Sequence, residues 1–147
     1  MKYKQLGDKI YLRVDKGEEV VASICKTCED LHIASATFHG IGGCSQAIVA
    51  TYIPDKHDFD DHVKNGMLEM TSLLGNLIQE ESGEQIFHAH ATFSFLDEEG
   101  QVTMFGGHLK STTILYTGEF VIEPVQGGII RDEWDSKEGI KVWKLPD

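Results

Sequence analysis

Two histidines stand two positions apart in a segment that alternates between apolar and polar residues. From Phe87 to Phe95 every odd position is phenylalanine or alanine, and His88 and His90 occupy even positions. This period of two predicts a β-strand with an apolar face for the core and a polar face that carries both histidines. Their Cα atoms then lie roughly 7 Å apart, close enough for both imidazoles to reach one ion about 2 Å from each nitrogen. The segment therefore predicts part of a metal site.

A third histidine follows on the next predicted strand. The turn at residues 97–100 ends in glycine, and the run 102–105 leads into Gly106, Gly107 and His108. Three neutral imidazoles suit zinc, although nickel, iron or copper also accept them. Three protein ligands leave a fourth position open to water or substrate, so the trio indicates a catalytic or ligand-binding site and not a closed structural one. The alternative is that three surface histidines merely coincide.

Three further patterns have both a chemical and a structural interpretation. Cys25 and Cys28 have the spacing of a redox motif, but they fall inside a predicted helix, where packing is the favoured role. Residues 40–43 are glycine-rich but lack a following Lys-Ser or Lys-Thr, so we predict a tight turn between two strands instead of a phosphate loop. The acidic loop at 54–62, which contains two histidines, is a minor alternative metal site.

The elements that must position the histidines are mostly strands. Besides the histidine strand, the predicted strands are 9–14, 33–38, 44–53, 68–79, 102–108 and 113–123. Within the fourth of these, residues 68–74 are ambiguous between helix and strand. Asp15 and Glu18 have the spacing of a capping box, which predicts that a helix begins there. One main helix and about seven strands predict an α+β fold built mainly on an antiparallel sheet.

Length and hydropathy favour one domain. The chain has 147 residues and 41% hydrophobic content without repeats, which predicts a single domain over residues 1–147.

The N-terminus lacks the apolar stretch of a secretory signal, and no run is long enough to cross a bilayer. We therefore expect a cytoplasmic protein without a membrane partner. Three cysteines form an odd set in such a chain, which predicts reduced thiols.

The charge balance argues against direct nucleic-acid binding. Thirteen Lys and Arg stand against 24 Asp and Glu, a formal net charge of -11. Such a chain repels polyanions. Its two arginines, Arg13 and Arg131, are far apart, and no basic cluster interleaved with aromatic residues is present.

Six short segments in a fixed order carry a family resemblance. They are residues 40–42 (GIG), 68–77 (LEMTSLLGNL), 88–90 (HAH), 97–102 (DEEGQV), 106–109 (GGHL) and 117–122 (TGEFVI). With these segments the chain resembles the plants-and-prokaryotes-conserved (PPC) domain over nearly its whole length. The resemblance implies an antiparallel α+β fold, assembly as a homotrimer, and histidines that are able to hold zinc in the prokaryotic members. A sheet with only one helix to shield it also favours cover by another chain.

Plant members of that family pair the domain with an AT-hook, an Arg-Gly-Arg segment that inserts in the DNA minor groove. This chain has no such segment, and Met67 stands where the plant proteins usually carry an arginine. In overall fold the family is also similar to acetolactate decarboxylase, whose zinc is held by a His-x-His pair and a later histidine. That similarity favours small-molecule chemistry, of the lyase or hydrolase kind if the protein is an enzyme. Glu69 and Glu119 are then the candidates for an acid, a base or an outer carboxylate, with ordinary strand carboxylates as the alternative.

Two classes of function stay open. The first is a stand-alone prokaryotic PPC protein that forms a homotrimer and uses a three-histidine zinc site to bind or transform a small molecule. The second is a regulatory module, suggested by the plant members, that acts through a protein partner or weak DNA contact.

Overall fold

The computed structural model describes residues 1–80 and 82–146. This part of the chain forms eight strands and one α-helix: β1 (Lys2–Leu6), β2 (Lys9–Asp15), α1 (Val20–Asp30), β3 (Ser35–Ile53), β4 (Asp58–Gln79), β5 (Gln85–Leu96), β6 (Val102–Pro124), β7 (Arg131–Asp135) and β8 (Ile140–Lys144). A short 3-10 turn (Pro54–Lys56) joins β3 to β4. All strand pairings in this part of the chain are antiparallel. The predicted α+β class with a single domain, one main helix and a mainly antiparallel sheet is confirmed.

The first six strands form one sheet in the order β1-β2-β6-β3-β4-β5, and β5 also pairs with β6. The four strands β3, β4, β5 and β6 therefore close on one another in a ring. Their buried side chains pack with those of α1 and β2 in one core cluster, which includes Ile24, Phe38, Leu77, Phe93 and Phe120. Ring closure fixes β5 against β6, and these are the two strands that carry the histidines.

The helix begins later than its predicted capping box. Glu19 is the N-cap residue, and its side chain accepts a hydrogen bond from the backbone N–H of Ala22 at 2.6 Å. The Glu18 carboxylate instead accepts from the backbone N–H of Asp15 at 2.8 Å. A start at Asp15 is therefore wrong, because that contact stabilises the turn that precedes the helix.

The predicted turn at residues 40–43 is also wrong, because β3 runs through it as one strand. A Cβ at Gly40 would lie 2.5 Å from the carbonyl oxygen of Glu119, and one at Gly42 would lie 2.9 Å from that of Thr117. Both neighbours belong to β6. The register of β3 against β4 shifts between these two glycines, and its register against β6 shifts just after Gly42. The glycines therefore allow a close approach of two strands and an irregular pairing.

Several other element boundaries differ from the prediction. The ambiguous segment 68–74 lies within β4, which begins at Asp58 and so includes part of the predicted acidic loop. The two strands predicted at 102–108 and 113–123 are one strand, β6. Strand β3 begins at Ser35, two residues after the predicted start, and the hairpin of β7 and β8 was not predicted.

The three cysteines are unpaired, as predicted. Cys25 and Cys28 lie within α1, where burial raises their pKa values to about 11 and about 12. Burial also raises the pKa of Cys44. Cys28 and Cys44 belong to the core cluster and Cys25 packs against it, which agrees with the predicted packing role. No helix in residues 1–80 and 82–146 is long and apolar enough to cross a membrane.

Candidate metal centre

Strand β5 presents two chemically different faces, as its sequence predicts. Ala89, Ala91 and Phe93 are buried in the core, whereas His88 and His90, which alternate with the two alanines, are exposed. Alternate residues of a strand project to opposite faces, so the core contacts of the alanines direct both imidazoles outward.

His108 joins these two residues through the pairing of β5 with β6, in which His90 and His108 are direct partners. Direct partners in an antiparallel pair project to the same face of the sheet. The glycine before His108 lets β6 pass close to β3, because a Cβ at Gly107 would lie 2.7 Å from the carbonyl oxygen of Ala50. The structure thus brings together the three histidines singled out from the sequence.

The three rings lie at contact distance from one another. The centroid separations are 5.3 Å for His88 and His90, 5.2 Å for His88 and His108, and 5.8 Å for His90 and His108. Partial desolvation lowers the pKa of His88, and the neighbouring His90 adds to the effect. Desolvation also lowers the pKa of His108, followed by repulsion from His88, His90 and Lys110. Both shifts favour the neutral imidazole, which is the form that binds a metal ion.

The donor set fits one divalent metal ion. Each ring offers one nitrogen, and the three nitrogens lie within 4.8 Å of one another. Two nitrogens that are each about 2.1 Å from one tetrahedral ion are roughly 3.4 Å apart. Rotation of the exposed His88 and His90 side chains can bring the nitrogens to that spacing. Three imidazoles fill three positions of a tetrahedral ion and leave the fourth open.

A phenylalanine that no sequence pattern indicates also contacts this site. The Phe59 ring lies 5.2 Å from the His108 ring, with an interplanar angle of 37°. Phe59 is far from the histidines in sequence and falls in the segment predicted to be an acidic loop. Only the pairing of β3 with both β4 and β6 brings it close, so no local pattern could have revealed it.

The acidic segment that contains Phe59 does not bring three potential ligands together. In the described part of the chain, His88, His90 and His108 are the one group of three or more potential ligands close enough to share an ion. Two of its four carboxylates form ion pairs, Asp60 with Lys56 and Asp61 with Lys110.

One row of directly paired residues connects the histidines to the far side of the sheet. Across the strands from β1 onward, the row is Lys4, Tyr11, Val121, His39, Leu74, His90 and His108. A groove of 770 Å³, which we call the sheet groove, is lined by Tyr11, Ile41, Leu74 and Val121 together with Arg13 and other residues. Because Leu74 is the direct partner of His90, the sheet groove and the three-histidine group meet on one face.

The two candidate carboxylates lie apart from the histidine group. Glu119 lines the sheet groove, and it also lines a smaller cleft of 470 Å³ together with Glu69 and Thr71. Both glutamates are exposed. The structure therefore brings the two carboxylates to one cleft but includes neither in the group of potential metal ligands.

The fold and the three-histidine group define a small α+β protein with a candidate metal site on its sheet. Residues 1–126 match the Plants and Prokaryotes Conserved (PCC) domain, so the chain belongs to that family. The remaining residues include the β7 and β8 hairpin. No protein of curated function matches the chain.

Three solved structures show how widely this fold recurs. A plant- and prokaryote-conserved protein from Pyrococcus horikoshii is 28% identical with a TM-score of 0.78, covering 99% of this chain and 96% of its own. A "metal-containing protein" from Archaeoglobus fulgidus is 25% identical with a TM-score of 0.78, covering 99% of both chains. A "putative DNA-binding protein" from Ralstonia eutropha is 25% identical with a TM-score of 0.83, covering 99% of this chain and 96% of its own.

Proposed function

We propose that this protein is a homotrimer that holds one zinc ion per chain at His88, His90 and His108, and that the open fourth position binds or transforms a small molecule. The observation that carries the proposal is the convergence of three imidazole nitrogens within 4.8 Å of one another. A structural neighbour described as metal-containing, from Archaeoglobus fulgidus, supports it.

The chemistry of the site follows from its ligands. A zinc ion bound by three neutral imidazoles supplies a Lewis acid at its open position. Leu74, the direct partner of His90, is exposed beside the site, so a small molecule at the open position would contact an apolar side chain as well as the ion. Apolar contacts together with a few polar groups are typical of small-ligand sites.

Elemental analysis of protein purified without added metal tests this proposal directly. We expect close to one ion per chain, with zinc as the main element. Protein that contains no transition metal, and takes none up on dialysis against zinc, would remove the proposed site.

The homotrimer is supported by the apolar surface of the sheet groove. Ile41 and Leu74 are 55% and 64% exposed, and Tyr11 beside them is 47% exposed. Contiguous apolar surface of this kind is typical of protein interfaces. The groove belongs to the sheet face that carries the histidines, so a second copy seated on it would lie next to the metal site.

Ile41→Asp is expected to dissociate the trimer, because a carboxylate cannot be buried against apolar side chains without a partner. Light scattering should report the mass of three 16.4 kDa chains for the wild type and of one chain for the variant. Val102→Asp is the matched control, since Val102 is exposed at the start of β6 and does not line the groove. A wild-type protein that is monomeric at micromolar concentrations would contradict the trimer.

A regulatory role in association with DNA is the second candidate, because the Ralstonia eutropha neighbour is described as a putative DNA-binding protein. The basic residues from which a binding patch could be assembled are Lys2, Lys4, Lys9, Arg13 and Lys110. Three of them form ion pairs: Lys9 with Glu123, Arg13 with Asp15, and Lys110 with Asp61. These pairs reduce the positive charge available to phosphates, so this role would need a protein partner or weak contact.

We expect negligible affinity for duplex DNA at physiological salt. A trimer carries a formal charge of -33, three times -11, and clustered Lys and Arg that could release counterions are missing from the sequence. Titration against random and AT-rich duplexes at several salt concentrations measures this. Sub-micromolar binding that weakens with salt would contradict the expectation and favour the regulatory role.

A further inference from the structure

We infer that Phe59 is a positioning residue of the metal site, whose ring holds the His108 imidazole in the orientation that binds the ion. The inference rests on the proposed metal-binding function and extends it to a residue that cannot itself be a ligand. Its basis is the ring contact between Phe59 and His108, with centroids 5.2 Å apart.

The strand pairing explains how Phe59 reaches His108. Phe59 is on β4 and His108 is on β6, and β3 lies between them. At this point β3 contributes Ala50, the direct partner of both His108 and Asp61. Phe59 is two residues before Asp61, so it projects to the same face. Because alanine is small, the two rings can meet above β3, and Ala50 beneath them is only 2% exposed.

Two further contacts fix this arrangement. Phe59 packs edge-on against Tyr52, its direct partner on β3, with ring centroids 5.3 Å apart and an interplanar angle of 63°. Asp61 forms an ion pair with Lys110, which again joins β4 to β6 across β3. The Phe59 ring is therefore held by its own strand pair and not only by the histidine.

His108 needs such a neighbour because a metal-bound imidazole must keep its ring orientation. In most metal sites a hydrogen-bonded group outside the ligand set supplies that constraint, and its loss costs roughly 10–100-fold in metal affinity; for His108 the neighbour outside the ligand set is a packed ring. His108 contacts the rings of His88, His90 and Phe59. Since the two histidines would bind the same ion, Phe59 provides the constraint from outside the ligand set.

The test compares four variants with the wild type by zinc affinity, measured in competition with a chelator, and by the visible absorption of the cobalt-loaded protein. For Phe59→Leu and Phe59→Ala we expect zinc affinity to fall on the order of tenfold. The cobalt bands, which report ligand geometry, should shift in both. Phe59→Tyr keeps the ring, and the hydroxyl can point to solvent because Phe59 is 41% exposed, so it should stay within about twofold of the wild type. Tyr116→Leu is the matched control, since Tyr116 is also an exposed aromatic residue, eight positions beyond His108 on β6.

The possible outcomes separate this inference from the proposed function. A wild-type protein that binds neither zinc nor cobalt would remove the metal site and the role of Phe59 with it. Tight binding by the wild type together with unchanged affinity and spectrum in Phe59→Leu would overturn the positioning role alone. Equal losses in Phe59→Tyr or Tyr116→Leu would also overturn it, because they would show that the effect does not depend on the ring contact.

Discussion

In the His90→Ala variant, we expect zinc content to fall from about one ion per chain to near zero, while the fold stays intact. His90 contacts both other imidazoles and is the direct partner of His108, so its loss leaves two ligands and an incomplete site. Loss of a direct ligand should cost more than the roughly 10–100-fold that follows loss of an outer partner. Because His90 is exposed, its removal leaves no cavity in the core.

His62→Ala is the matched control for this experiment. His62 is another exposed histidine, on β4, and it belongs to the acidic segment that the sequence indicates as an alternative metal site. We expect its removal to leave zinc content unchanged. Circular dichroism and elemental analysis on the same samples separate loss of metal from loss of fold. Full retention of the ion in a double His88→Ala, His90→Ala variant would contradict the three-histidine site.

The histidine group could be predicted because its signal is local. The period of two in β5 fixes the face to which His88 and His90 project, and the short turn before β6 makes the next strand an antiparallel neighbour. The contribution of Phe59 could not be predicted, because it depends on the register of two long strand pairs around Ala50. A register shift by one residue would turn Phe59 to the other face, and no pattern near Phe59 specifies that register.

The long strands were harder to predict than the fold class. Glycine is typical both of turns and of strand positions where another backbone comes close, and the sequence does not distinguish these cases. At residues 40–43 the second explanation applies, because neighbouring strands occupy the space that side chains would need. Because of the same ambiguity at Gly106 and Gly107, the sequence predicts two strands where the structure has the single strand β6. The α+β class did not depend on these boundaries, since the number and type of the main segments determine it.

Gly75 shows how such a close approach supports the candidate metal centre. It lies on β4 opposite Ala89, the residue between the first two histidines. A Cβ at Gly75 would lie 2.5 Å from the carbonyl oxygen of His88, 2.6 Å from the Cβ of Ala89 and 2.6 Å from the ring of Phe38. Phe38 is only 2% exposed and stacks on Phe87, so its ring has little room to move. An added methyl group must therefore displace either the core or the backbone of β5.

Gly75→Ala is expected to lower the free energy of unfolding by about 1–3 kcal/mol, the usual cost of overpacking a core. We also expect weaker zinc binding, because relief of the clash moves the backbone that carries His88. Urea denaturation of the metal-free protein gives the first quantity, and chelator competition gives the second. Measuring stability without metal keeps the packing effect separate from stabilisation by the ion.

Gly43→Ala is the control for this prediction. Gly43 is also within a long strand, but a Cβ there would first meet the side chains of Tyr116 at 3.3 Å and Met67 at 3.5 Å. Both neighbours are exposed and can shift, so we expect a change within about 0.5 kcal/mol. A Gly75→Ala variant as stable as the wild type would contradict this prediction. It would show that β5 can move away from β4 without loss of stability, so that packing against β4 does not hold the backbone of β5 in place.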